Sequence, residues 1–164
     1  MIRSQLNSLV EDHAIKMLYA CESGSRAWGF PSPDSDYDVR FIYLFPMPWY
    51  LQLDEGRDVI DPPLEETEIG LLDLGGWDVR KTLRLLRKSN PVIWEWLQSP
   101  IVYHADQNLD LRQFRLVLDQ FFSPITACHH YLSLCQNTME RELTGTQVKI
   151  KKYFYMLRPL LYPS

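Results

Sequence analysis

Apolar positions change their period along this chain. Ile2, Leu6, Leu9 and Val10 recur at helical spacing, which predicts a helix over residues 2–12. The run Ile15-Lys16-Met17-Leu18-Tyr19-Ala20-Cys21 is then short and nearly continuously apolar, as a buried strand is. Gly24-Ser25 opens a turn, with at most one helical turn to Trp28, and Pro31-Ser32-Pro33-Asp34 reads as loop. Tyr37 to Leu44 is the second strand, closed by Pro46 and Pro48. Residues 54–66 are acidic and contain Pro62-Pro63. Within and after them, 58–60 reads as a short strand and Glu68 to Leu74 as a third long one.

After Gly75-Gly76 the period becomes helical. Asp78 to Lys88 is amphipathic, with Val79, Leu83 and Leu86 facing inward. Asn90-Pro91 supplies an N-cap and a first-turn proline for a helix through Leu97. Leu111, Phe114, Leu118 and Phe121 mark another helix. Ser123-Pro124 opens the next, which runs to Leu143 with Ile125, Cys128, Leu132, Cys135 and Met139 on one face. Thr144-Gly145-Thr146 interrupts, and 147–161 is the last helix. A strand-rich front and a helical back define an α+β chain: a small mixed sheet over 1–103 and a helical C-terminal part over 104–164. No repeats or low-complexity segments occur.

Composition sharpens this reading. At 46% hydrophobic and 13% aromatic, the 164 residues can fill a core. No stretch reaches the roughly 20 apolar residues of a membrane span, and no signal peptide is evident, so a cytoplasmic protein without membrane contact is expected. Cys21, Cys128 and Cys135 do not form a disulfide framework, and the last two read as buried thiols. His129 and His130 lack ligand spacing. Trp28, Trp77, Trp94 and Trp96 read as core. Charge is divided: residues 1–76 hold five Lys/Arg against fourteen Asp/Glu, and 77–164 hold twelve against seven. An acidic half suits metal and a basic half suits phosphates. Arg80, Arg84 and Arg87 form a stripe that is a solvated helix face or a phosphate contact.

The chemistry concentrates between Gly24 and Val39. In a strand, Asp36 and Asp38 project to one face. Two carboxylates beside a small-residue turn suit Mg²⁺, which takes one or two carboxylates plus substrate phosphates. An EF-hand loop opening at Asp34 fails, because Val39 and Phe45 stand where Gly and Glu are needed. A P-loop fails for want of Gly-Lys-Ser/Thr.

Gly24-Ser25, then Gly29, then Ser35-Asp36-Tyr37-Asp38 heading a strand resembles the polymerase-beta-type nucleotidyltransferase superfamily. Glu22-Ser23-Gly24-Ser25-Arg26-Ala27-Trp28-Gly29 with Ser35-Asp36-Tyr37-Asp38-Val39-Arg40 is closer still to its bacterial RNA-repair-associated family. So are Gly76-Trp77-Asp78-Val79-Arg80-Lys81, Lys88-Ser89-Asn90-Pro91, Glu95-Trp96-Leu97-Gln98-Ser99-Pro100 and Lys151-Lys152-Tyr153-Phe154-Tyr155-Met156-Leu157-Arg158-Pro159. Members of that family continue past the Leu-Arg-Pro segment, whereas this sequence stops at Ser164, a helical part shorter than the family's.

The resemblance implies a nucleotidyltransferase core with three metal-binding carboxylates: Asp36, Asp38 and, on a neighbouring strand, Asp73. Asp78 is the competing third acid and Glu68 a weaker one. It implies two Mg²⁺, with Mn²⁺ as a substitute, an NTP (ATP first) and RNA as a partner. Gly24, Ser25, Arg26, Ser35 and Lys152 are the expected nucleotide contacts, with Gly24 and Ser25 near the β/γ-phosphates. Three functions stay open at this point: transfer of a nucleoside monophosphate to an RNA end, transfer of AMP to a protein, and a non-catalytic nucleotide- or RNA-binding remnant.

Overall fold

The computed structural model describes residues 1–32, 35–142 and 153–154. Helix α1 (Ile2–Asp12) precedes strand β1 (Lys16–Ser23), which passes straight into the single-turn helix α2 (Gly24–Ala27). Strand β2 (Tyr37–Leu44) follows, then α3 (Met47–Tyr50), β3 (Val59–Ile60), β4 (Glu65–Thr67) and β5 (Gly70–Asp78). Helices α4 (Val79–Arg87) and α5 (Val92–Leu97), strand β6 (Val102–Ala105), and helices α6 (Leu111–Phe121) and α7 (Pro124–Glu142) complete the described chain.

The six strands form one mixed sheet in the order β3-β5-β2-β1-β6, with β4 also on β5. Among the described strands β2 and β5 run parallel, and the other pairs are antiparallel. A parallel pair needs a crossover, supplied here by the excursion through α3, β3 and β4. The strands alternate between two apolar layers, with a register break in β1 between Met17 and Tyr19. Val39, Phe41 and Tyr43 on β2 join Leu72 and Leu74 on β5 and Met17 and Ala20 on β1. The α1 stripe Ile2, Leu6 and Leu9 covers that face. On the other face, Tyr19, Cys21 and Ile42 meet Leu86, Ile93, Trp94, Trp96, Leu97 and Leu118 from α4, α5 and α6. Trp77 packs against Trp96 in a tilted pair with ring centroids 4.2 Å apart. The mixed sheet with helices is the α+β architecture expected.

The structure revises four expectations about elements. Strand β5 continues through Gly75-Gly76 to Asp78 instead of ending at Leu74. The two glycines are packing devices: a Cβ on Gly76 would lie 2.1 Å from the Phe41 ring, and one on Gly75 would lie 3.3 Å from Arg40 Nη1. Leu83 is exposed; Thr82 and Leu86 form the buried edge of α4, and the Thr82 hydroxyl donates to the Asp78 carbonyl (3.1 Å). The buried face of α7 is Ala127, Tyr131 and Cys135, which leaves Cys128 exposed together with Ile125, Leu132 and Met139. The spacing of four is a better helical stripe than the larger apolar side chains suggest. Strand β6 has no counterpart in the sequence reading. It pairs with β1 over Tyr19↔Ala105 and Ala20↔His104 and forms one border of the sheet. The helix expected over 147–161, and Lys152 on it, lie outside the described residues.

Asn90 behaves as expected of an N-cap, its Oδ1 accepting from the Val92 amide (3.0 Å). Among the described residues, no helix is long and apolar enough to cross a membrane.

Candidate active site

The register of the parallel pair builds the site. Asp38 on β2 is the direct partner of Asp73 on β5. Each alternates with a residue of the α1-side core (Val39; Leu72 and Leu74), so both carboxylates project to the opposite face. Arg40, two residues beyond Asp38, emerges on that same face. Its Nη2 lies 2.7 Å from Asp73 Oδ2 and 3.6 Å from Asp38 Oδ1. Its Nη1 donates to the Asp73 carbonyl (3.1 Å) and the Val39 carbonyl (3.2 Å). Gly75, without a side chain, leaves the guanidinium room to lie over β5.

The turn after β1 fits against this pair. Gly24 has φ +61°, and a Cβ there would lie 2.0 Å from Asp38 Oδ2. Only glycine combines that backbone conformation with so close a carboxylate. The close approach expected for a phosphate is thus one made by Asp38. Ser25 and Ser35 are both buried, and the Ser25 hydroxyl donates to Ser35 Oγ (3.1 Å), which also accepts from the Ser32 amide (2.8 Å). Arg26 donates through Nη2 to the Ser35 carbonyl (2.8 Å) and through Nε to the Asp36 carbonyl (3.1 Å). Its guanidinium carbon sits 3.8 Å from the centre of the Tyr37 ring. These contacts shape the segment that delivers Asp36 and Asp38 to the strand.

Burial pushes the Asp38 carboxyl up to about 6. The Arg40 guanidinium opposes that rise, while Asp73, Glu22 and Asp36 add to it. Glu22, fully buried at the end of β1, is also held above the ordinary carboxylate range, chiefly by desolvation. Its Oε1 accepts from the Asp38 amide (2.9 Å) and its Oε2 from the Tyr103 hydroxyl (2.5 Å).

Asp36, Asp38, Asp73, Gly24, Ser25, Arg26 and Ser35 therefore gather at one end of the β2–β5 pair. Among the described residues, no group of three or more His, Cys, Asp or Glu is arranged as a metal cage. The donor chemistry nevertheless fits a hard cation. Two carboxylates on register partners already share one positive group, the Arg40 guanidinium, and oxygen donors of this kind are what Mg²⁺ takes. Asp78 lies at the far end of the same pair, opposite Tyr43. It is fully buried, accepts from the Arg80 amide (2.8 Å) as the N-cap of α4, and accepts from the Tyr50 hydroxyl (2.5 Å). Glu68 stands exposed in the turn between β4 and β5. Beside Asp78, a cleft of about 200 Å³ is lined by Trp49, Tyr50, Glu55, Asp58, Arg80 and Arg84. Two of the stripe arginines are paired there, Arg84 with Glu55 at 2.7 Å and Arg80 with Glu55 at 3.6 Å.

Sequence reasoning gave no role to Arg40, Glu22 or Tyr103. Arg40 was legible, since its i+2 spacing from Asp38 puts both on one face. Glu22, a lone acid between an apolar run and Gly24-Ser25, was a weaker signal. Tyr103 carried none, because β6 itself was not foreseen.

The sequence matches the RNA repair pathway DNA polymerase beta family over residues 1–163. It is 47% identical over 160 residues to the uncharacterized protein YcgL of Bacillus subtilis (strain 168), which spans 98% of this chain and 60% of that protein. The chain thus covers about 60% of the length of the curated relative it matches. A structural comparison pairs 98% of the chain with 55% of a nucleotidyltransferase-like protein from Exiguobacterium sibiricum 255-15, at a TM-score of 0.45 and 12% identity. The chain belongs to the RNA repair pathway DNA polymerase beta family.

Proposed function

We propose that this protein is a Mg²⁺-dependent nucleotidyltransferase that moves a nucleoside monophosphate from an NTP, ATP first among them, to an acceptor hydroxyl, with an RNA end as the acceptor. The observation that carries this reading is the pairing of Asp38 with Asp73 across parallel strands, both within reach of the single Arg40 Nη2. Carboxylates brought together on one face repel unless positive charge sits between them. A site built that way is suited to hold cations.

In this reading Asp36, Asp38 and Asp73 hold the metal, and Mn²⁺ substitutes for Mg²⁺. The bound ion supplies neutralisation of phosphate charge and acidification of the acceptor hydroxyl. The acceptor hydroxyl gives its proton to water, its oxygen attacks the α-phosphorus, the bond to the α–β bridging oxygen breaks, and pyrophosphate leaves. The backbone amides at the start of α2, near Gly24 and Ser25, are the first candidates to meet the β/γ-phosphates. Arg26 and Ser35 act from behind, holding the 35–36 segment in place. Lys152 is the further phosphate contact we propose. A reaction fed by NTPs is a cytoplasmic one.

The test is incubation with each labelled NTP, Mg²⁺, and either total RNA or total protein. Label transferred from ATP to RNA, and lost in Asp38→Asn, supports the reading. Label in the protein pool instead indicates AMP transfer to protein. Nucleotide binding with no label in either pool indicates a non-catalytic binding protein.

A further inference from the structure

The buried acid Glu22 has no place in the chemistry above, yet every one of its polar groups is engaged. Its amide donates to the Ile101 carbonyl (2.9 Å) and its carbonyl accepts from the Ser99 hydroxyl (2.6 Å). Its Oε2 is held by Tyr103 and its Oε1 accepts the Asp38 amide. A fully buried carboxylate is costly unless it is hydrogen-bonded, so a plain structural role would be served more cheaply by an apolar residue. Glu22 instead joins three strands: its own β1, β6 through Tyr103, and β2 through the Asp38 backbone. The bond to Asp38 falls at the last residue pair of the β1–β2 ladder, Ser23↔Asp38. There the chain changes from the 35–36 segment to regular strand, and a side-chain oxygen supplies the acceptor for the amide.

We propose that Glu22, oriented by Tyr103, is the positioning residue for Asp38: it fixes the backbone at residue 38 so that the carboxylate lies over Gly24 and beside Asp73. This rests on the reading of Asp38 as a metal-holding acid. Glu22 and Asp38 project to opposite faces of the sheet, so Glu22 touches neither substrate nor metal; its direct contact with residue 38 is through the peptide group. Side chains that orient metal ligands commonly change metal affinity or activity by about 10–100-fold when removed.

Two readouts test it on the full chain. The first is hydrogen exchange of the Asp38 amide by NMR, with the Phe41 amide as internal control. The second is Mn²⁺ binding, followed by the loss of the free-ion paramagnetic resonance signal. Glu22→Ala is expected to speed Asp38 exchange at least about tenfold with Phe41 unchanged, and to weaken Mn²⁺ binding about tenfold. Glu22→Gln keeps an acceptor oxygen for the amide and should stay within about threefold of wild type in both. Tyr103→Phe should fall between them. If Glu22→Ala does not fold, the comparison of Glu22→Gln with Tyr103→Phe decides. Wild-type exchange and Mn²⁺ affinity in Glu22→Ala, or equal impairment in Glu22→Gln, overturns the proposal. Absence of Mn²⁺ binding in the wild type overturns the metal reading instead, while the exchange rates still decide whether Glu22 holds Asp38.

Discussion

The two ends of the β2–β5 pair carry the same residue type and use it oppositely. At one end Asp38 faces Asp73, and their side chains remain 25% and 39% exposed around Arg40. At the other, Asp78 sits opposite Tyr43 and is fully buried. Asp78 has spent its oxygens on the α4 N-terminus and Tyr50. The half-buried acids of the first end hold a guanidinium that a cation can displace. An aspartate on a strand thus becomes structural or chemical according to whether the chain supplies fixed donors for it. A helix N-terminus supplies them; an arginine on a movable stem does so only in part.

The comparison can be broken first by removing charge at each end. Asp38→Asn and Asp73→Asn should each reduce the proposed transfer at least about a thousandfold, as loss of a metal ligand would, while circular dichroism remains native-like. Asp78→Ala should do the reverse. It removes an N-cap and orphans the Tyr50 hydroxyl, costing about 2 kcal/mol in denaturant unfolding with turnover per folded molecule preserved. Inactive Asp78→Ala that is fully folded would exchange the roles of the two ends.

Arg40→Met gives a smaller effect. Without the guanidinium the Asp38 carboxyl rises further, so the pH midpoint of Mn²⁺ binding should move up by as much as about one unit. An unmoved midpoint would mean that Arg40 does not sense Asp38.

The smallest effect is on the stability of the metal-free protein. The folded-state value of about 6 for Asp38 lies above the ordinary carboxylate range. The folded chain therefore holds that proton more tightly than the unfolded chain. Its contribution is complete below about pH 4 and is lost as pH rises through 6. Asp38→Asn should consequently stabilise the metal-free protein by about 1 kcal/mol at pH 7, after allowance for partial exposure, and by nothing at pH 4. Urea titrations at the two pH values check this.

Much of the architecture could be read from the sequence where one period dominates. The spacing of α1 and the bounds of β2 matched the structure because an apolar stripe and an unbroken apolar run have few alternatives. Asp73 was placed on the strand next to Asp38, though the strand's C-terminal half was missed. There Gly75 and Gly76 resembled a break, and their purpose depends on Arg40 and Phe41, more than 30 residues away. The β6 strand was illegible for a related reason. Val102-Tyr103-His104-Ala105 is short and mostly exposed, so only its pairing with β1 defines it. The site was readable as a set of acids and unreadable as an electrostatic unit, since Arg40 and Glu22 gain meaning only through cross-strand contacts.

The parallel pairing has a consequence for how the site comes into being. No hairpin can bring β2 and β5 together. Arg40 and Asp73 stand 33 residues apart, and that intervening loop must close before they meet. Long-range pairing of this kind forms slowly in folding. Asp38 and Arg40, two residues apart on one strand, are neighbours from the moment β2 forms. Asp73 therefore arrives at a carboxylate already accompanied by its cation. A nascent chain that has not yet threaded β5 into the sheet holds Asp36 and Asp38 without Asp73, so it carries the sequence pattern of the family before the proposed site is assembled.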